Sequence, residues 1–177
     1  MRNWQNRKDL LDELLYDKEL GQVKEWILQT DFLRAPASTK YHGAYEGGLF
    51  DHSAKVAVTL VELTEKNNLK WLKSRSPILI GIAHDFCKFD AYLWDEETQR
   101  FVYNPDLKDD RHGDKSVDIL KTIIFDLTEE EILCIKYHMG FTLPKEEWEG
   151  FREAIRKYPN VLWAHQADMI SAFIYNT

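Results

Sequence analysis

The sequence predicts an all-α fold that carries one small β-hairpin near residues 91–104. Apolar residues recur at every third or fourth position along most of the chain, which is the period of an amphipathic helix. Ser-Pro and Thr-x-x-Glu pairs, which start helices, stand before two of these segments. No internal repeat or Pro/Gly/Ser-rich linker interrupts the 177 residues. We therefore expect a single domain over residues 1–177, with N-terminal helices in residues 1–30 and a core in residues 31–175.

The N-terminal part of the chain is expected to form two short helices, a loop and a long helix. The two helices cover residues 6–18 and 19–29, and the loop covers residues 31–48, which are rich in Gly, Pro and Ala. From Leu49 onwards, apolar residues and His52 form a single stripe with helical spacing. A histidine therefore interrupts the apolar face of the long helix.

Helix start signals also divide the C-terminal part. The Ser-Pro pair at residues 76–77 predicts an N-cap and a first helical position, and the helix that follows is apolar on nearly all sides. Such a helix should be buried. Thr128 and Glu131 predict a capping box and a helix that runs to about residue 138. Pro144 and Pro159 are expected to begin the last two helices.

Residues 91–104 depart from the helical pattern. Tyr92 and Trp94 alternate with other residues before a polar turn, and Phe101 and Tyr103 alternate after it. Alternating aromatic residues on both sides of a turn predict a β-hairpin. The hairpin directly follows the most apolar helix of the chain.

Histidine and aspartate residues stand where helices should face the interior. His52 lies on an apolar stripe, His84 and Asp85 end the most apolar helix, and Asp168 lies on the stripe of the last helix. An ionised aspartate is costly to bury without a partner, and a divalent metal is one such partner. Imidazole and carboxylate ligands without thiolates suit a catalytic metal with open positions. The alternative for any single histidine is an ordinary core residue with a hydrogen-bonded ring.

Composition and charge exclude several classes of protein. Two cysteines, Cys87 and Cys134, are too few for a disulfide framework or a four-cysteine zinc site, and we expect plain core thiols. The net charge of −7 argues against long nucleic acid as a partner. No apolar run is long enough to span a membrane, and the charged N-terminus is unlike a signal peptide. We therefore expect a cytoplasmic protein without membrane contact.

Three segments carry a resemblance to a known family. GGLFDHSAKVA contains His52, ILIGIAHDFCKFDAY contains His84, Asp85 and Lys88, and LWAHQADMISAF contains Asp168. Their order resembles the HD-domain superfamily of metal-dependent phosphohydrolases, in the HDxxK branch found in bacteria and phages. Over roughly residues 34–174, the resemblance implies a compact helical bundle. It also implies an enzyme that hydrolyses a phosphoester of a nucleotide or another small phosphorylated molecule.

The resemblance also implies a ligand set for one or two divalent ions, with Mn, Fe, Zn, Ni, Co and Mg as candidates. The first ion would be held by His52, His84, Asp85 and Asp168. A second ion would be held with the help of His112 and His138, and Asp85 would bridge the two. Asp85 and Lys88 would be the catalytic residues. The alternative for Lys88 is a solvated lysine without a role in catalysis.

Basic and aromatic residues near these ligands are the candidate substrate contacts. They lie in the loop before the first histidine helix, beside His112 and in the hairpin, and they are Arg34, Lys40, His42, Tyr45, Lys115 and Trp94. Arg111 adds a further positive charge beside His112. We expect the hairpin to border the substrate entrance. Its aromatic rings either stack on a base or only cover the edge of the core.

Two other functions stay open at this point. Some HD-type proteins are di-iron oxygenases and use a similar histidine-rich ligand set. A non-enzymatic module that binds a nucleotide or a protein partner is the other alternative, although the complete ligand set argues against it. The sequence makes no prediction about the oligomeric state.

Overall fold

A computed structural model describes residues 4–107 and 112–175, and most of this part is helical. Its helices are α1 (Trp4–Leu14), α2 (Gly21–Gln29), α3 (Gly48–Asn67), α4 (Ser76–Ala83), α5 (His112–Ile123), α6 (Glu129–Lys136), α7 (Trp148–Lys157) and α8 (Asn160–Phe173). Its strands are β1 (Tyr92–Asp95) and β2 (Arg100–Tyr103), which pair antiparallel. The predicted fold class, all-α with a small hairpin near residues 91–104, is confirmed. The prediction of a single domain over residues 1–177 stays a prediction.

The long helix α3 packs against α4 and α8, and α5 packs against α6. Two glycines allow unusually close approach within these pairs. A Cβ atom at Gly81 of α4 would lie 2.3 Å from the Cα atom of Ala57 in α3. A Cβ atom at Gly113 of α5 would lie 2.1 Å from the carbonyl oxygen of Lys136 in α6. The close packing of α3 on α4 and of α5 on α6 therefore requires a glycine at each of these two positions.

The core includes the segment that was expected to be an irregular loop. A 3-10 turn at Asp31–Leu33 opens this segment, and its Phe32 is fully buried. Trp26 of α2 stacks on Phe86 with ring centroids 4.5 Å apart, and Phe32 meets the edge of the same ring. Phe86 begins the short 3-10 turn after α4. The N-terminal helices thus support the end of α4, where His84 and Asp85 lie.

Helix starts differ from the predictions by a few residues, as is usual for helix ends. Ser76 is the first residue of α4, whose N-cap is Arg75, and the Ser76 hydroxyl donates a hydrogen bond of 2.9 Å to Glu131. Pro144 precedes a short 3-10 turn, and α7 begins only at Trp148. Pro159 is the N-cap of α8. Among the described residues, none of the helices combines the length and the apolar character needed to cross a bilayer.

The predicted capping box is confirmed at the start of α6. The Thr128 hydroxyl accepts a hydrogen bond from the Glu131 amide, and the Glu131 carboxylate accepts one from the Thr128 amide. The Glu131 carboxylate also lies 3.3 Å from the guanidinium of Arg75, and both side chains are buried. Glu130 is buried as well and accepts a hydrogen bond from Asn160. Glu130 and Glu131 therefore link α6 to Asn160 and Arg75, and their negative charges also suit the positive end of the α6 dipole.

Replacing Glu131 with glutamine should lower the free energy of unfolding by about 2 kcal/mol, because the buried Arg75 loses its buried counter-ion. Urea unfolding followed by circular dichroism measures this change. The exposed neighbour offers a matched control, and Glu129→Gln should lower the free energy of unfolding much less than Glu131→Gln does. Equal losses in the free energy of unfolding would show that the buried Arg75–Glu131 pair contributes no more than an exposed ion pair.

Candidate metal centre

The structure brings together the side chains that were predicted to be metal ligands. They come from α3, from the end of α4, from the start of α5, from the turn after α6 and from α8, and they are His52, His84, Asp85, His112, His138 and Asp168. Their ligand atoms form three overlapping groups, and within each group the atoms lie within 4.8 Å of one another. Helices far apart in sequence thus meet at one cluster, which we call the His/Asp cluster.

One half of the His/Asp cluster is formed by His52, His84 and Asp168. The Nε2 atoms of His52 and His84 are 3.3 Å apart, and Asp168 Oδ1 lies 3.1 Å from His52 Nε2. The Nδ1 atom of His84 is 2.8 Å from the carbonyl oxygen of Gly81. A carbonyl only accepts hydrogen bonds, so this Nδ1 carries the proton and the neutral ring turns its Nε2 lone pair to the centre.

The other half of the His/Asp cluster is formed by Asp85, His112 and His138. Asp85 Oδ1 lies 2.8 Å from His112 Nε2 and 3.5 Å from His138 Nε2. His138 Nδ1 is 2.7 Å from the carbonyl oxygen of Ile135, so its Nε2 also faces the centre. These three central atoms are buried and find no hydrogen-bond partner in suitable geometry among the described residues. A bound cation would satisfy these buried atoms together, and the donor set fits a divalent metal.

The His/Asp cluster is buried on one side and reaches solvent on the other. His52, His84, Asp85 and His138 are each 1% exposed. The side chains of His112 and Asp168 are 27% and 13% exposed. Solvent therefore reaches the His/Asp cluster on the side of His112 and Asp168, where a ligand could approach.

Positive neighbours keep Asp85 ionised in this interior. Burial by itself would raise the pKa of Asp85, but the Lys88 ammonium and the surrounding imidazoles outweigh burial and hold that pKa well below its usual range. Lys88 Nζ donates a hydrogen bond of 2.7 Å to Asp85 Oδ2. Burial opposes the charge of Lys88, yet the Asp85 carboxylate raises the pKa of Lys88. The two residues thus form a buried ion pair at the edge of the His/Asp cluster.

Several supporting contacts were not foreseen from the sequence. The sulfur of Cys87 lies 3.2 Å from His112 Nδ1, and burial raises the pKa of this thiol to about 12, so it stays neutral. His165 Nδ1 lies 2.7 Å from the carbonyl oxygen of His138 and holds the turn after α6. Cys87 is buried as predicted, but it also touches a candidate ligand. Nothing in the spacing of the sequence indicates either contact.

A buried ion pair also anchors the start of α3. Arg7 of α1 donates hydrogen bonds of 3.0 Å to both carboxylate oxygens of Asp51, the residue before His52. Arg7 also donates to the carbonyl oxygen of Glu46, in the loop before α3. Because α1 is mostly polar, the sequence gives no signal that its arginine is buried against Asp51.

The structure places the candidate substrate contacts at several separate positions. His42 lies beside the His/Asp cluster, with its ring 4.8 Å from that of His52, and burial lowers the pKa of His42 to about 4. Tyr45 donates its hydroxyl hydrogen bond to Asp51, and Arg34 pairs with Glu46 at the surface. The other contacts are described with the cavities below.

One cavity borders the His/Asp cluster, and a larger one borders the hairpin. The smaller cavity, about 340 Å³, is lined by His112 of the cluster and by Lys88 and Lys115. Lys115 Nζ also pairs with Asp90 at 2.9 Å. The larger cavity, about 840 Å³, is lined by residues of the hairpin and of the loop before α3, including Arg34, Tyr45 and Trp94.

Lys40 is exposed and lines neither of these two cavities. Nothing in the structure brings it to the His/Asp cluster. Arg111 lies outside the described residues.

Comparison of the chain with protein-family models, with curated proteins and with solved structures finds no match. The fold and the His/Asp cluster define a helical protein with a buried histidine and aspartate group that is able to hold a metal ion.

Metal binding should depend on Asp85. We expect saturating Mn²⁺ to raise the melting temperature of the wild type by about 5 °C or more, because a ligand that binds only the folded state stabilises it. Asp85→Asn should abolish this rise, as measured by differential scanning fluorimetry with and without Mn²⁺. The buried carboxylate Glu130 lies outside the cluster, so Glu130→Gln should lower stability and keep the rise. A rise that persists in Asp85→Asn would contradict the assignment.

The two halves of the His/Asp cluster should bind separately. Titration of the metal-free wild type with Mn²⁺, followed by isothermal calorimetry, should give more than one ion per chain. His112→Ala should reduce this number to about one, because His112 contacts only the Asp85–His138 half. A wild-type stoichiometry of one at saturation would argue against a second ion.

Proposed function

We propose that the protein is a metal-dependent phosphohydrolase of the HD type, which hydrolyses a phosphoester of a nucleotide or another small phosphorylated molecule. The observation that carries this proposal is the set of buried ligand atoms of Asp85, His112 and His138, which face one another beside a cavity with two lysines. The order of the motif residues along the chain resembles the same family and supports the proposal.

The residues would divide between two ions. His52, His84 and Asp168 would hold one ion, His112 and His138 would hold the other, and the two oxygens of Asp85 face the two halves. Imidazole with carboxylate suits Mn, Fe, Co, Ni or Zn better than a purely oxygen-loving ion such as Mg. Bound divalent ions supply Lewis acidity, which lowers the pKa of water toward ~7 and offsets the charge of a phosphoryl group.

Lys88 would have two tasks in this reaction. Its ammonium holds Asp85 Oδ2, which keeps the carboxylate ionised and oriented between the imidazoles. Lys88 also lines the smaller cavity together with Lys115, so positive charge borders the space beside His112. A phosphate in this cavity would meet two ammonium groups, and such preorganised charge stabilises a phosphoryl transition state.

The same positive charge bears on the alternatives. The six candidate ligands would also fit a di-iron oxygenase of the HD type, so the preference for hydrolysis rests on the two lysines that border the smaller cavity. A non-enzymatic binding module would not need a cluster of buried ligand atoms that face each other in the interior. These two observations support hydrolysis.

Phosphate release in the presence of Mn²⁺ tests the proposal. Purified protein should release phosphate from at least one member of a panel of nucleotides, sugar phosphates and aryl phosphates. Lys88→Ala should lower kcat/KM about 100-fold or more while metal is retained, because the charge next to the phosphate is lost. Lys66→Ala, an exposed lysine of α3, should leave kcat/KM unchanged.

Two results would count against hydrolysis. One is the absence of phosphate release from every substrate by metal-loaded wild type. The other is oxygen consumption by the iron-loaded protein without phosphate release, which would favour the oxygenase.

A further inference from the structure

We propose that the larger cavity binds a planar heteroaromatic ring of the substrate, so that the substrate is a phosphoester carrying a group such as a nucleobase. This inference rests on the proposed function for the position of the phosphate. The ring site itself is argued from the hairpin and the cavity, which contain none of the candidate metal ligands.

The larger cavity has the size and the walls of a small-molecule site. Its volume of about 840 Å³ lies within the ~300–1,000 Å³ that is typical of ligand pockets. Phe89, Tyr92, Trp94 and Phe101 supply aromatic wall. Pockets with aromatic walls and a few polar groups are the usual sites for organic ligands.

The register of the hairpin places its aromatic residues on one face. Tyr92 pairs with Tyr103, and Trp94 pairs with Phe101. Directly opposed residues of an antiparallel pair share a face, and residues two apart along a strand share it too. The Trp94 and Phe101 end of this face lines the larger cavity, and the Tyr92 and Tyr103 end lines the smaller one.

This aromatic face does not simply cover the core. Trp94 is 47% exposed and Tyr103 is 57% exposed. Trp94 meets Phe101 edge to face, with ring centroids 5.1 Å apart and planes at 72°. A pair in this arrangement holds the ring orientations while leaving part of the indole surface open for stacking. The packing interpretation that the sequence left open is therefore the weaker one.

Polar groups complete the larger cavity. Arg34 and Glu46, which pair with each other, lie on the wall formed by the loop before α3, and Asn104 follows the hairpin. Arg100 also lines the cavity and forms no ion pair with any residue in the described part of the chain. Donors and acceptors beside aromatic walls suit a ring with polar edges better than a plain hydrocarbon ring.

Tyr92 lines both cavities, so the two spaces adjoin at this residue. The smaller cavity holds Lys88, Lys115 and His112, next to the His/Asp cluster. A single molecule with a phosphate at one end and a heteroaromatic ring at the other thus finds charge and stacking surfaces in adjoining spaces.

Nucleoside binding tests the ring site without any hydrolysis. Adenosine, guanosine, cytidine and uridine, which lack phosphate, are titrated into the protein by isothermal calorimetry without added metal. At least one nucleoside should bind to the wild type, and Trp94→Ala should weaken its Kd about tenfold or more, because a base loses its stacking partner. Trp94→Phe keeps an aromatic ring and should restore most of the affinity.

The hairpin also offers a matched control. Val102 points to the opposite face and lines neither cavity, so Val102→Ala should leave the Kd unchanged. Circular dichroism melting shows whether each variant keeps its fold. Failure of the wild type to bind any nucleoside, or equal weakening by Trp94→Ala and Val102→Ala, would overturn the inference.

A kinetic comparison separates this inference from the proposed function. Trp94→Ala should lower kcat/KM for the best nucleoside monophosphate about tenfold and leave that for ribose 5-phosphate unchanged. Equal hydrolysis of the two substrates by wild type would overturn the ring site while phosphohydrolase activity stands. Trp94-dependent nucleoside binding without any phosphate release would support the ring site and remove the proposed function.

Discussion

The carboxylate of Asp85 carries a negative charge in an interior where it is only 1% exposed. An isolated buried charge is expensive, so the surrounding structure must compensate for it. Lys88 supplies a hydrogen-bonded ammonium, and imidazoles from three other parts of the chain lie around the carboxylate. The helices α3, α4, α5 and α6, which the apolar core packs together, bring these groups to Asp85. The packing of the core is therefore what makes the buried charge tolerable.

Part of this centre could be predicted because its residues break strong patterns. His52 interrupts an apolar stripe, and the His84–Asp85 pair ends a helix that is otherwise apolar on all sides, so polar groups there required an explanation. The capping box of α6 was predictable because its two residues interact at a fixed local spacing. Patterns of this kind are local, and one sequence is enough to detect them.

Contacts between distant residues could not be predicted in the same way. Arg7 and Asp51 are 44 residues apart, and nothing in their neighbourhoods distinguishes them from surface charges. Glu131 was expected to cap α6, but its burial depends on how α6 packs against Arg75. The segment of residues 31–48 was expected to be an irregular loop because it is rich in Gly and Pro. That composition gives no sign that its Phe32 is fully buried in the core. A contact between residues that are far apart in the sequence produces no periodic pattern that a single sequence could reveal.

At Gly81, the preference of helices for alanine over glycine conflicts with the close packing of α4 on α3. Glycine inside a helix costs about 1 kcal/mol relative to alanine, so an exchange to alanine would ordinarily be a stabilising one. At this position the added methyl group would collide with the backbone of Ala57 and push apart the two helices that carry His52 and His84. The carbonyl of Gly81 also fixes the ring of His84. Engineering of this protein for thermostability should therefore leave residue 81 unchanged. Glycine makes the helix locally less stable, but it keeps His52 and His84 close enough to act together.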